Sequence, residues 1–209
     1  MAEDAVLVSP AYRLALEAKI GEILEDVSDF WKWLHQELPS VFSKKWPSIT
    51  ADLNRILAVG GGGGGYLALQ SAMLFNTHAK IKAVITQYPA MYPDIMSFSP
   101  RPAEVNSSFD AIIDDYIKNV KPGAVRTQSP YPELGRFGAA IVATGGFRDL
   151  WGLSEDRKVA TLEYALSKAE DIPPIWIMQD TENSIVSLLR FIQLRLVQFK
   201  SGTEKLFST

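Results

Sequence analysis

No cysteine occurs anywhere in the 209 residues, which excludes a disulfide framework, a thiolate zinc site and a cysteine nucleophile. Histidine is nearly as scarce, with only His35 and His78 present. No apolar run approaches the roughly 18 residues of a membrane span, and Met1-Ala2-Glu3-Asp4 is the wrong start for a signal peptide. An excess of one charge is also missing. Lys and Arg number 21 against 24 Asp and Glu, a net charge of −3, with no basic patch suited to nucleic acid. These absences point to a cytoplasmic globular protein. A chain this long buries roughly 70% of its unfolded surface without staples, so a single domain over residues 1–209 is expected.

Two compositional biases organise what is present. Six of the 14 glycines form one block, Gly60 to Gly65, and seven of the 12 prolines fall between Pro89 and Pro132. Ala5-Val6-Leu7-Val8, stopped by Ser9-Pro10, reads as a buried strand. Ile20, Ile23, Leu24, Val27, Trp31 and Leu34 recur at helical spacing, and this helix ends before Pro39, where a polar loop is expected. Residues 55–59 read as the next strand, Tyr66 to Phe75 as a helix buried on most sides, and Ile81 to Tyr88 as a third strand.

Between 89 and 157 the rhythm breaks into a Pro-rich insertion resembling a lid. It carries one clear helix, with Phe109, Ile112, Ile113, Tyr116, Ile117 and Val120 as its stripe behind Ser108. Lys158 to Leu166 reads as helix and Ile175 to Met178 as strand. Ile185, Leu188, Leu189, Ile192, Leu196 and Phe199 mark a last amphipathic helix. Strands alternating with helices predict an α/β fold with a parallel sheet covered on both faces.

A strand, a glycine turn and a buried helix recur in several folds. The block satisfies a dinucleotide fingerprint only trivially, and the next strand ends Thr86-Gln87-Tyr88-Pro89 without the acid that binds a ribose. A phosphate loop needs Gly-Lys-Ser/Thr, whereas Gly65 is followed by Tyr66-Leu67. The stretch Ile56 to Ala68 instead resembles the nucleophile elbow of α/β-hydrolase esterases and lipases, strand then Gly-x-Ser-x-Gly-Gly then helix. Gly60, Gly64 and Gly65 match its glycines, which the sharp turn is expected to require. Gly62 stands where the serine would be.

The likeness extends further. Tyr12, Arg13, Leu14, Ala15 and Glu17 match the Asp-Tyr-Arg-Leu-Ala-Pro-Glu segment of hormone-sensitive-lipase-like esterases, while Ala11 and Leu16 depart from it. Residues 174–184 resemble the strand and loop carrying the family's acid, with Asn183 at the acid position and Glu182 beside it. The resemblance implies a partial α/β-hydrolase fold whose family reaction is carboxylic-ester hydrolysis by a serine, a histidine and an acid. It also implies a chain truncated at both ends, without the oxyanion motif or the C-terminal histidine, and hydrolytically inactive.

His35 and His78 read as packing or solvated residues, and Asp114-Asp115 as a solvated helix face. No cofactor or metal is expected. Three functions stay open: a non-hydrolytic remnant, an enzyme of cyclase or isomerase type using the inherited pocket, and a binder of an anion or a small apolar ligand. For the last, Gly61, Gly62, Gly63 and Tyr66 are the candidate ligand-binding residues. The family's strand order, as the resemblance implies, leaves a vacant lane beside residues 5–8. Direct pairing of residues 5–8 with 56–59 is the expected outcome. Detachment of that segment and a homo-oligomer through the unpaired edge are the alternatives.

Overall fold

The computed structural model describes residues 5–15, 17–90, 107–128, 133–144, 159 and 161–178. Its centre is a sheet of three parallel strands, β1 (Ile56–Gly61), β2 (Ile81–Gln87) and β3 (Ile175–Met178), in the order β1-β2-β3. Apolar and β-branched residues suit these positions because parallel strands sit under crossover helices. In register, Ala58, Val84 and Ile175 form one buried row. The next row, Val59, Ile85 and Trp176, points to the opposite face, where Val59 and Trp176 are 65% and 66% exposed.

Before the sheet come α1 (Ile20–Gln36) and α2 (Leu38–Lys45). Strand β1 leads directly into α3 (Gly62–Leu74), and α4 (Asn76–Ala79) is a single turn ahead of β2. Helix α3 packs on β1 and β2, and every residue from Gly65 to Met73 is buried, as an apolar surface nearly all round demands. Among the described residues the later helices include α5 (Ser107–Asn119), α6 (Glu133–Thr144) and α7 (Leu162–Lys168). Thr161 caps α7, accepting from the Tyr164 N–H at 3.2 Å. Leu162 and Ala165 of α7 are fully buried in the core shared with α3.

Several expectations fail. Ala5 to Val8 form no strand and make no backbone bond to residues 55–59, so the direct-pairing expectation is wrong. Leu7 is 93% exposed. A β-forming run becomes a strand only where a neighbour accepts its N–H groups. The loop expected at Pro39 is helix α2, with Pro39 in its first turn, where the missing N–H costs nothing. The 89–157 stretch holds a second helix beyond the one expected. In α6, Phe137, Ala140 and Ile141 are buried, and Phe137 stacks on Tyr116 of α5 at 3.9 Å between centroids. The 185–199 helix lies outside the described residues.

Two polar tethers fasten the segments flanking the core. Arg126 Nη1 donates to the buried Glu17 carboxylate at 3.2 Å and to the Tyr116 hydroxyl at 3.0 Å, joining α5 to the chain ahead of α1. Arg13 donates its Nε to both Asp26 oxygens, 3.0 and 2.9 Å, and Nη2 to the Glu22 carbonyl at 2.7 Å. The Arg13 N–H adds a bond to Asp26 Oδ2 at 2.8 Å, so residues 8–13 are folded back onto α1.

Burial alone would push the Asp26 carboxyl up. The bonds and charge of Arg13 outweigh that and hold it below the usual aspartate value. The native state therefore binds fewer protons at Asp26 than the unfolded chain. The tether is at full strength above the unfolded value of about 3.9 and is lost as pH falls through the folded one. Urea titrations of the wild type and Asp26→Asn at pH 7 and pH 3 check this. The variant should be less stable at pH 7, and the gap should narrow at pH 3.

Candidate functional site

The β1–α3 junction is a strand-to-helix turn with no connecting residue. At its apex Gly62 has φ +52°, the left-handed region that side chains adopt at a cost. A Cβ on Gly60 would lie 2.3 Å from the Gly64 carbonyl oxygen, so strand and helix meet here only because Gly60 has no side chain. A Cβ on Gly65 would come within 3.1 Å of the Gly60 oxygen and of the Pro89 Cβ. Gly62, Gly63 and Gly64 have nothing within 4 Å of the Cβ direction. Gly60 is thus the required glycine, and a Cβ at Gly65 would need its neighbours to shift by a few tenths of an ångström. Gly64, also expected to be required, is not needed for the space at its own Cβ. The segment after β2 closes the turn: the Ala90 N–H donates to the Gly62 carbonyl at 3.1 Å.

The candidate binding residues divide. Gly61 and Gly63 are exposed and Gly62 is half-buried, at the start of α3, where among the described residues no side chain caps the first-turn N–H groups. Tyr66 is 1% exposed, and its hydroxyl accepts from Gln70 Nε2 at 2.8 Å. Its ring belongs to the core rather than to a ligand surface. Proximity to the glycines in sequence suggested otherwise, but α3 is buried all round from Gly65 to Met73. Asn183 and Glu182 lie outside the described residues. Asp114 and Asp115 are exposed on α5, as a solvated face requires.

Both histidines sit at the other end of the sheet. His35 Nε2 lies 3.0 Å from the Ala79 carbonyl, an N–H donor contact, and the His78 ring packs on Phe75 at 5.8 Å. Residues 78 and 79 precede the start of β2, whereas the elbow stands beside its last residue, Gln87. Six strand residues separate the two ends, about 20 Å at 3.3 Å per residue. Burial, then the charges of Lys32 and His35, push the His78 pKa down, so its imidazole stays neutral at pH 7. Neither ring reaches a group at Gly62. Among the described residues no cluster of metal-ligating side chains occurs, and no helix is long and apolar enough to cross a membrane.

The steric requirement is testable at two neighbouring glycines. Gly60→Ala should cost about 3 kcal/mol, because the contact is with backbone that cannot move aside. Gly63→Ala, on a helical position with open space, should stabilise by about 0.5–1 kcal/mol. Chemical denaturation of the two variants separates these outcomes.

Comparison with known proteins places the geometry. The sequence profile described as "alpha/beta hydrolase fold" matches residues 2–179. A Cochliobolus lunatus protein named "Probable carboxylesterase clz11" is 32% identical over 191 residues, 88% of this chain and 86% of that protein. A Phoma sp. protein named "Probable carboxylesterase M8" is 31% identical over 194 residues, and the match spans 60% of its length. A solved structure from Staphylococcus aureus superposes with a TM-score of 0.54 at 17% identity, covering 89% of this chain and 62% of that one. The elbow at Gly60–Gly65 is thus one part of a likeness that runs through most of the sequence, and the chain belongs to the α/β-hydrolase fold family.

Proposed function

We propose that this chain is a hydrolytically inactive member of a carboxylic-ester hydrolase lineage. The observation that carries the reading is the elbow apex. The turn keeps the positive φ and the close strand–helix contact, but the residue at its tip, Gly62, has no oxygen or sulfur to attack a carbonyl. The position of the histidines supports the same reading, since a general base must reach the nucleophile within about 3 Å. The activity of the two fungal relatives, as their names state it, would require both groups.

Purified protein should hydrolyse p-nitrophenyl acetate no faster than a heat-denatured sample. Gly62→Ser should not restore turnover, because His35 and His78 lie about 20 Å away, the span of the strand between them. Hydrolysis that survives repurification and scales with protein concentration would overturn the reading.

A second reading has one observation of its own. The first turn of α3 presents backbone N–H groups with no capping side chain among the described residues, beside exposed Gly61 and Gly63. A carboxylate or phosphate at that point would gain hydrogen bonds and the favourable end of the helix dipole. Phosphate should then raise the melting temperature saturably, beyond sodium chloride at matched ionic strength. Identical responses to the two salts would remove the anion reading.

A further inference from the structure

A cleft of about 680 Å³ opens between the loop at residues 8–13 and the outer face of α1, with Val125 and Thr127 on its far wall. None of the glycines of the elbow lines it. Three aromatic rings do: Tyr12, Phe30 and Trp33. The planes of Phe30 and Trp33 are inclined at 27°, with centroids 6.4 Å apart, and Trp33 is 38% exposed. A tryptophan presented to solvent beside two other rings offers negative π faces, which attract a cation with a weak hydration shell.

The charges lining the cleft have the matching sign. It contains Asp26, Asp29 and Arg13. The positive charge of Arg13 is engaged by Asp26 at 2.9 Å, Glu22 at 3.2 Å and Glu25 at 3.8 Å, so it does not oppose a second cation strongly. Asp29 is bonded through Oδ1 to Lys32 at 2.8 Å, and both side chains are largely exposed. An exposed pair of this kind is worth little and gives way readily to a competing cation. Burial raises the Tyr12 phenol pKa, so that ring remains neutral.

We infer that this cleft binds a small organic ammonium ion, its alkylated nitrogen held among Tyr12, Phe30 and Trp33 and its charge facing the Asp29 carboxylate. Primary ammonium ions and metal cations fit less well, because their tight hydration is not replaced by ring faces. The inference is independent of the hydrolytic reading, since no residue of the elbow takes part.

Calorimetric titration with choline, run beside its uncharged isostere 3,3-dimethylbutan-1-ol, tests it on the intact chain. Choline should bind saturably, and the isostere about tenfold more weakly or worse, in keeping with cation–π and charge contributions. Trp33→Leu and Asp29→Asn should each weaken choline by about tenfold with an unchanged far-UV spectrum. Tyr12→Phe keeps the ring and should bind as the wild type, which separates recognition from folding. Equal affinity for choline and the isostere would overturn the inference, as would absence of saturable heat up to about 50 mM choline. Wild-type affinity in both weakened variants would overturn it as well.

Discussion

The contact between Gly60 and Gly64 is the constraint from which the rest of the core follows. With no Cβ at Gly60, the chain passes from β1 into α3 without a loop, and the helix is set down directly over β1 and β2. That placement buries Leu69 and Ala72 completely and brings Leu162 and Ala165 of α7 against the same helix. Gly65 then lets Pro89 approach, which brings the end of β2 to the same point. Strand, helix and the following segment are joined there by one steric permission rather than by many side-chain contacts. Such a joint tolerates little change at Gly60 and much more at Gly63 and Gly64, which have open space and no positive φ.

What could be read from the sequence follows from how local each signal is. Ile81–Gln87 and Ile175–Met178 were legible as strands because a buried parallel strand is apolar along its length. Ala5–Val8 has the same character and is not a strand, because pairing depends on a neighbour elsewhere in the chain. Pro39 is ambiguous in itself: it stops α1 and equally suits the first turn of α2. Helix α6 was missed because Gly138 and Ala140 dilute its apolar stripe. Within the elbow, six identical residues hid the division of labour. Only the three-dimensional approach of Gly64 and Pro89 separates Gly60 and Gly65 from the other four.

Two arginines of this chain serve attachment. Arg13 holds the loop to α1, and Arg126 links buried Glu17 to Tyr116. Both are structural tasks, and both residues are well placed for them. The two imidazoles pack at the edge where β2 begins, far from where the elbow presents its tip. Fold and reaction are separable properties, and these joints and tethers belong to the fold.

Gly62 gives that separation a direction. A residue with a side chain at φ +52° pays about 1–2 kcal/mol in backbone strain, which glycine does not. The present occupant is therefore the relaxed one, and the joint loses nothing by it. Any side chain placed there would lower folding stability at once. Selection for stability alone consequently favours glycine at this position, and the turn works as a ratchet.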